Sequence, residues 1–172
     1  EVFADCKNLE TVDLGNSLNA VSYRTFYNTG LKTITLPKQV ELVDSGAFAD
    51  SALTEVIVEC DELSIMYGAF QNCPLGDLDL GENVVYISDE AFSGINATQI
   101  KHPASVTEIS YRVYAFNENL VSVTIPDTVQ YISGAAFDGD KNLSHVLYTG
   151  TQDQWNALEV WRSEELQSAT LH

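Results

Sequence analysis

Basic residues are scarce in this sequence. It has 8 Lys and Arg against 25 Asp and Glu, which gives a formal net charge of −17 over 172 residues. A surface this acidic repels nucleic acid phosphates and anionic lipid headgroups, so both are disfavoured as partners. Cations and basic patches on other proteins are favoured instead.

Long hydrophobic runs are also missing. No apolar stretch approaches the roughly 20 residues of a transmembrane helix, so we expect no membrane insertion in this segment. No basic-then-apolar signal peptide opens the chain either. The sequence starts at "EVFADC", without an initiator Met and in the middle of a repeat. We therefore expect a mature or excised piece of a longer protein, whose signal and anchor lie outside this segment.

Cysteine is rare, with only Cys6, Cys60 and Cys73. Three cysteines cannot all pair, and Cys6 and Cys73 occupy the same position in repeats that are three apart. At about 4.8 Å per stacked strand they would stand roughly 14 Å from each other. That exceeds the limit of about 7 Å for a disulfide. We expect buried thiols that act as small apolar side chains.

Catalytic motifs are absent from the sequence. It has no Ser–His–Asp order, no G-x-S-x-G elbow and no phosphate loop, and its Cys and His spacings do not fit a zinc site. His102 falls in an inward strand column, where a buried imidazole with satisfied hydrogen bonds is expected. His145 falls on an outward position and His172 is terminal. The sequence predicts a protein that is not an enzyme and has no cofactor.

What the sequence does contain is a repeat of about 22 residues. All seven phenylalanines recur with gaps of 23, 22, 22, 22, 24 and 21 residues, and most follow an alanine; they are Phe3, Phe26, Phe48, Phe70, Phe92, Phe116 and Phe137. A constant period of this size indicates a solenoid, in which each unit buries its apolar face against its neighbours. We expect the phenylalanines to form an internal spine of seven buried rings.

The rest of the repeat contains two apolar segments. An L-x-x-V-x-L pattern follows each Phe, as in Leu31, Ile34 and Leu36, and its period of two predicts a strand with one buried face. Three of the four prolines come directly after this strand, where a missing N–H ends the ladder. A second apolar pair then follows, such as Val40 and Val43. In the third repeat Glu62 and Leu63 replace the first member of this pair, which predicts the least regular coil.

The end of the chain differs from the repeats. Residues 150–172 contain both tryptophans and no Phe, and Thr151 to Gln154 reads as a capping box. We expect a short helix through Trp155 and Leu158 to fold over the open end of the stack, as repeat arrays require. The predicted organisation is one structural domain, with seven repeats over residues 1–149, the first truncated, and a capping segment over residues 150–172.

Several motifs resemble the BspA-type leucine-rich repeats of bacterial surface proteins. They are "LKTITLP" from Leu31, "IPDTVQYI" from Ile125, the recurrent Ala-Phe dipeptide and the tail "YTGTQDQWNAL" from Tyr148. The resemblance covers essentially the whole chain. It implies a right-handed leucine-rich-repeat solenoid with a parallel β-sheet on one face, short strands, turns or 3-10 segments on the other, and little helix outside the cap. It also implies a secreted or surface-anchored bacterial protein. No conserved binding residue comes with it.

The outward strand positions form the first candidate binding surface. It comprises Thr33, Thr35, Glu55, Ile57, Glu59, Asp77, Asp79 and Lys101. Like charges about 5 Å apart cost roughly 1 kcal/mol in water and 3 kcal/mol at an effective dielectric of 20. Either Lys101, a basic partner or a bound cation at Glu55, Asp77 and Asp79 would offset that repulsion. The alternative is a solvated acidic face, since a calcium site needs six or more oxygens.

Tyrosines form the second candidate surface, an aromatic flank. Tyr23, Tyr67 and Tyr111 recur in alternate repeats, and Tyr86 and Tyr131 precede the second member of the apolar pair. Exposed tyrosines stack on glycans or anchor protein partners. The alternative is that these side chains pack on one another.

Three functions remain open from the sequence. The leading hypothesis is a non-catalytic extracellular module for protein interaction and adhesion, which binds a host matrix protein or another cell surface through the sheet face. A second is a structural spacer that projects another domain. A third is a glycan-binding accessory module of a degradative enzyme.

Overall fold

Two short strands recur in each repeat, as the two apolar segments predict. The protein is described by a computed structural model that covers residues 1–160 and 163–172. In chain order the strands are β1 (Ala20–Val21), β2 (Thr33–Leu36), β3 (Leu42–Val43), β4 (Glu55–Val58), β5 (Leu63–Ile65), β6 (Leu78–Asp79), β7 (Val84–Ile87), β8 (Gln99–Lys101), β9 (Glu108–Ile109), β10 (Ser122–Ile125), β11 (Tyr131–Ile132), β12 (His145–Tyr148), β13 (Glu159–Val160) and β14 (Thr170–Leu171). Two helices, α1 (Gln152–Ala157) and α2 (Glu164–Ser168), lie near the end.

All strand pairs are parallel, and each joins one repeat to the next. Thr33 lies opposite Glu55, for example, and Ser122 opposite His145. The even-numbered strands come from the L-x-x-V-x-L segments and form two sheets, β2-β4 and β6-β8-β10-β12-β14. The odd-numbered strands come from the second apolar pair and form β1-β3-β5-β7 and β9-β11-β13. The fold is therefore the predicted parallel-strand solenoid with little helix.

The predicted irregularity of the third repeat is confirmed. The pairing of β5 with β7 shifts register between Leu63 and Ser64, so Leu63 lies opposite Val84 while Ser64 lies opposite Tyr86. Leu63 is nevertheless fully buried. The bulge thus recovers an inward apolar side chain from a sequence in which that residue is displaced by one position.

Turns that contain the Ala-Phe dipeptide connect the two strand series, and their aromatic rings form a stack. Successive ring centroids from Phe3 to Phe92 are 5.3 to 5.5 Å apart, with interplanar angles of 4 to 11°. Each turn also donates a hydrogen bond to the next, as the Phe48 N–H does to the Ala69 carbonyl at 2.9 Å. Small Ala side chains allow this close stacking, and each aromatic pair contributes roughly 0.5–1.5 kcal/mol beyond its buried area.

The predicted spine is wrong at Phe116, whose place is taken by Tyr114. Tyr114 is fully buried and its ring lies 6.3 Å from that of Phe92 and 5.8 Å from that of Phe137, whereas Phe116 is 50% exposed. The gaps on either side become 22 and 23 residues, so the spine keeps its period and the apparent insertion before Phe116 disappears. Phe3 is also 39% exposed, because no earlier coil covers it.

Each turn contains two residues in the left-handed region, one two positions before the aromatic and one two positions after it. Around Phe48 they are Gly46 (φ 61°) and Asp50 (φ 58°). The second position is Asp5, Asn28, Asp50, Asn72 or Gly94 in successive coils, which are residue types that adopt this conformation readily. Phe116 (φ 61°) occupies the same position in its coil. A bulky aromatic there is an outlier.

The C-terminal segment closes the stack and also extends it. The predicted capping box is confirmed, since Thr151 and Gln154 bond each other through side chain and backbone in both directions. Trp155 in α1 packs edge-on against Tyr148 at 5.2 Å. Beyond this helix, β13 and β14 add one more strand to each series, and the buried Leu166 of α2 packs on the core. Trp161 lies outside the described residues.

The three cysteines are all free thiols. Cys60 and Cys73 are buried as expected, but Cys6 is exposed, because its coil is the first and nothing packs outside it. Cys73 lies 3.3 Å from the Ser51 hydroxyl, and burial raises the pKa of its thiol to about 12. The buried thiols are therefore packing residues.

Candidate interaction surface

The outward side chains of the even-numbered strands form one open surface, which we call the sheet face. Strand alternation sends Ile34 and Leu36 into the core and leaves Thr33 and Thr35 exposed. The same alternation exposes Glu55 and Ile57 on β4, and Ile57 keeps 43% of its surface accessible. The other members are Asp77, Asp79, Gln99, Lys101, Ser122, Thr124, His145 and Leu147.

The sheet face is divided between the third and fourth repeats. No ladder joins β4 to β6 in the part of the chain that the structure describes, so Glu55 and Asp77 do not lie on paired strands as the sequence suggested. A small cleft of about 130 Å³ separates them and is lined by Thr54, Glu55, Val56 and Asp77.

Asp77 is committed to the backbone of the following coil. Its Oδ1 accepts hydrogen bonds from the Thr98 N–H at 2.9 Å, the Thr98 hydroxyl at 2.7 Å and the Gln99 N–H at 2.9 Å. These bonds, led by the Thr98 hydroxyl, lower the pKa of the Asp77 carboxyl. Asp77 therefore fixes the start of β8, which gives it a structural role in addition to its place on the surface.

Asp79 is paired with Lys101, the neighbour that the sequence suggested. Lys101 Nζ lies 3.1 Å from Asp79 Oδ2, and the Gly81 N–H donates to Asp79 Oδ1 at 3.1 Å. The bond from Gly81 is the main cause of the lowered pKa of Asp79, and Lys101 adds to it. Since both side chains are about half exposed, the ion pair itself contributes no more than about 1 kcal/mol.

The cation hypothesis receives no support. Among residues 1–160 and 163–172, no group of three or more His, Cys, Asp or Glu side chains is arranged to hold a metal ion. The Asp77 and Asp79 carboxylates are occupied by backbone groups, a hydroxyl and Lys101, while Glu55 and Glu59 face solvent on the other side of the cleft.

A shallow groove runs across the larger part of the sheet face. It encloses about 320 Å³ and is lined by Asp79, Gln99, Lys101, Thr124 and Leu147, among others. These side chains come from consecutive strands, with Asp79 opposite Lys101, Lys101 opposite Thr124 and Thr124 opposite Leu147. The groove therefore presents carboxylate, ammonium, hydroxyl and apolar groups in one row across four coils.

The predicted aromatic flank lies on more than one side of the solenoid. Tyr23, Tyr67 and Tyr111 are exposed in the turns, whereas Tyr86 on β7 and the half-buried Tyr131 on β11 belong to the odd-numbered strands. Tyr23 and Tyr67 line a groove of about 270 Å³. The Tyr67 hydroxyl donates to Glu90 at 3.1 Å, which raises the pKa of this phenol.

Two arginines near these tyrosines were missed from the sequence. The Arg24 guanidinium lies 3.7 Å above the Tyr27 ring beside the Tyr23–Tyr67 groove. Arg112 lies 5.1 Å from the Tyr111 ring and makes a 3.0 Å ion pair with Asp138. The available signal was the Tyr-Arg dipeptide, which occurs twice at the same position of coils that are four apart.

His102 is a core residue, as expected. Its ring is fully buried, with Nδ1 2.8 Å from the Tyr114 hydroxyl and Nε2 3.0 Å from the Val106 carbonyl. Burial lowers the pKa of His102 to about 4. No nucleophile is among these contacts, so the arrangement is structural.

Comparisons with known proteins agree with the repeat architecture. The model of the BspA type leucine rich repeat region matches residues 1–95 and 41–157, with six copies. A comparison with curated proteins gives no significant match. In the part of the chain that the structure describes, the helices are too short or too polar to cross a membrane.

Three solved structures are similar to this chain. A leucine rich cell surface protein from Faecalibacterium prausnitzii A2-165 has 19% identity over 91% of this chain and 58% of its own, with a TM-score of 0.44. A T. pallidum leucine rich repeat protein has 21% identity over 78% of this chain and 54% of its own, with a TM-score of 0.45. A leucine-rich repeat protein from Bacteroides ovatus ATCC 8483 has 18% identity over 98% of this chain and 58% of its own, with a TM-score of 0.44. The chain thus spans little more than half the length of these structures.

Proposed function

The chain belongs to the BspA-type leucine-rich repeat family, and on that premise we propose that it is a non-catalytic, extracellular module for adhesion. The family supports a protein-interaction module built from repeats. We propose further that the parent protein is secreted or anchored at a bacterial surface, and that this segment binds a host matrix protein or a protein on another cell through the sheet face.

The observation that carries the proposal is the row of side chains in the sheet-face groove. Asp79, Lys101, Thr124 and Leu147 stand on strands held in register by a continuous ladder. Adjacent strands lie about 4.8 Å apart, so the row presents a new side chain at each step along the solenoid. Because the backbone is already ordered, little conformational entropy is lost when a partner binds.

The charge of the molecule supports a basic partner. With a formal net charge of −17, the protein attracts positively charged surfaces over long range and accelerates their encounter. Glu55 and Glu59 lie at the edge of the sheet face without a salt bridge in the described residues. Their charges are therefore available to a partner, and binding should weaken as salt increases.

The test is a pair of matched charge-reversal variants. Glu55→Lys with Glu59→Lys changes the sheet face, and Glu41→Lys with Glu108→Lys makes the same charge change beside the odd-numbered strands. Binding to immobilised collagens, laminin and fibronectin is measured by surface plasmon resonance at two salt concentrations. We expect the sheet-face variant to bind at least about tenfold more weakly and the control variant to retain affinity within a factor of two. Equal losses in both variants, or no loss in either, would contradict the proposal.

The aromatic flank supports a second candidate function, binding of glycans as an accessory module. Tyr23 and Tyr67 present exposed rings beside Arg24, Asp50 and Gln71 in one groove, and sugars combine ring stacking with polar contacts of this kind. A glycan array distinguishes the two candidates. Signal that disappears in Tyr23→Ala with Tyr67→Ala supports glycan binding, and a blank array with folded protein excludes it.

The spacer function makes a different prediction. It requires no ligand on any screen, and activity of the parent protein should depend on the number of coils. Deleting one complete 22-residue repeat would then change function while the Glu55→Lys and Glu59→Lys changes would not.

A further inference from the structure

Two exposed histidines face each other at the C-terminal end of the sheet face. His145 Nδ1 lies 2.9 Å from His172 Nε2, and the ring centroids are 5.1 Å apart. The two residues are 27 positions apart in sequence and come from neighbouring coils. Two ring nitrogens at this distance have to share one proton in the absence of another ligand.

The backbone holds both histidines in place. His145 is the first residue of β12, which is paired on both sides, with β10 and with β14. His172 follows β14 directly, and its N–H donates to the Val146 carbonyl at 2.8 Å while its carbonyl accepts from the Tyr148 N–H at 3.1 Å. The separation of the two rings is thus set by the ladder, with only the side-chain torsions left free.

This geometry matches a bidentate metal site. Imidazole nitrogens bind Zn²⁺ at about 2.0–2.1 Å, so two adjacent ligands at angles of 90–109° stand roughly 2.9–3.4 Å apart. Neutral imidazole is a preferred ligand for Zn²⁺, Ni²⁺ and Cu²⁺ but not for Mg²⁺ or Ca²⁺. A metal ion therefore fits between these nitrogens when it replaces the shared proton, with little movement of either ring.

We propose that His145 and His172 form a two-histidine site for a late first-row transition metal ion. Its remaining coordination positions are filled by water, because Ser122 and Thr170 flank His145 in the ladder and Leu147 lies beside His172. This agrees with the lack of any three-residue His, Cys, Asp or Glu cluster in the described residues. The site is independent of the proposed adhesion function.

Metal binding fastens the last strand to the solenoid. The two ligands lie on either side of the β12–β14 ladder, and the unfolded chain places them 27 residues apart. An ion that binds the folded state in preference to the unfolded state raises the melting temperature. Zn²⁺ is therefore expected to stabilise the C-terminal cap in particular.

The experiment uses Zn²⁺ itself on the whole chain in a Cys6→Ser background. This substitution removes the exposed thiol, the other soft ligand at the surface, and the buried His102 serves as an internal control. Histidine ring resonances are followed by NMR during titration with Zn²⁺ and with Mg²⁺. We expect the His145 and His172 signals to shift together to saturation at one equivalent of Zn²⁺, while His102 does not move and Mg²⁺ has no such effect.

Two variants make the test decisive. Removing one of two ligands should weaken Zn²⁺ binding at least tenfold, since loss of mere outer-shell partners costs about 10–100-fold, so His145→Gln and His172→Gln should each abolish the rise in melting temperature. Both positions are exposed, and the fold of each variant is checked without metal by circular dichroism. Unchanged Zn²⁺ affinity in both variants, or equal responses to Zn²⁺ and Mg²⁺, would overturn the proposal.

Discussion

The Nδ1 atom of His102 lies 2.8 Å from the hydroxyl of Tyr114 in the centre of the core. The Val106 carbonyl can only accept a hydrogen bond, so His102 Nε2 carries the proton and Nδ1 accepts from the tyrosine. In the other coils these two columns hold apolar pairs, such as Leu80 and Phe92. The pair therefore introduces one polar contact into an otherwise apolar column, and burial raises the pKa of the Tyr114 phenol.

Because each member of this pair satisfies the other, single substitutions should be worse than the double one. Tyr114→Phe leaves Nδ1 unpaired and His102→Leu leaves the hydroxyl unpaired, and each should lower the free energy of unfolding by about 1–3 kcal/mol. The double variant restores the Leu-Phe combination and should recover much of that loss. Urea denaturation of the four proteins gives the coupling energy. Strictly additive losses would mean that the hydrogen bond contributes nothing, and Tyr86→Phe is the exposed control.

The same pair predicts an acid-sensitive stability. The pKa of His102 is about 4 in the folded protein and 6.5 in the unfolded chain, so folding excludes a proton at this site. The stabilisation is fully present above pH 6.5 and is lost as the pH falls through 4, by up to about 3 kcal/mol at 1.36 kcal/mol per pKa unit. Denaturation midpoints between pH 7 and 4 check this. The difference between the native protein and the His102→Leu, Tyr114→Phe variant should shrink or reverse over that range, and a constant difference would contradict it.

Asp140 should have the opposite pH dependence. Its Oδ1 accepts from the Asn117 N–H at 2.7 Å, while Oδ2 is buried without a partner. Burial, together with the charges of Glu165 and Asp138, raises its pKa from 3.8 to about 8. Stability is therefore highest below pH 3.8 and is lost as the pH rises towards 8, because folding then keeps a proton that the unfolded chain releases.

Asp140→Asn tests this directly, since the amide oxygen can still accept from Asn117 and carries no charge. We expect the variant to be more stable than the native protein by at least about 1 kcal/mol at pH 8, with little difference at pH 4. Thermal denaturation at the two pH values is sufficient. A variant that is equally destabilised at both would show that the carboxylate makes a favourable contact in its charged form.

The regular parts of this fold follow from the sequence because period and alternation are properties of the chain itself. Ala47-Phe48 repeats every 22 residues only if each coil has the same length, and Ile34 and Leu36 alternate with polar residues only if the strand has one buried face. The confirmed capping box at Thr151 is equally local, because all of its bonds join residues within one turn of helix.

The errors arise where identity and position disagree. Phe116 carries the expected side chain in the wrong place, and only the partner of the Tyr114 hydroxyl, His102, makes a tyrosine acceptable in the spine. On the surface, the column positions of Glu55 and Asp77 were correct, but their assumed proximity required a ladder between β4 and β6 that does not form. The His145–His172 contact depends on two rotamers in coils 27 residues apart, for which the sequence holds no local signal.

The backbone of Phe116 provides the last prediction. Its φ of 61° lies in the left-handed region, which costs a bulky L-residue about 1–2 kcal/mol, whereas Asn and Gly tolerate it. The ring is half exposed and contacts Arg112 at 5.4 Å, so little buried area is lost on replacement. Phe116→Asn should therefore raise the free energy of unfolding by about 1 kcal/mol.

The matched control for this change is Tyr111→Asn, which removes an exposed aromatic that also contacts Arg112 but has no positive φ. It should be neutral or slightly destabilising in the same urea titration. If Phe116→Asn instead destabilises the protein, the packing of the ring on Arg112 and Gly139 outweighs the conformational cost. The strained position would then be retained for the contacts that it makes within the fold.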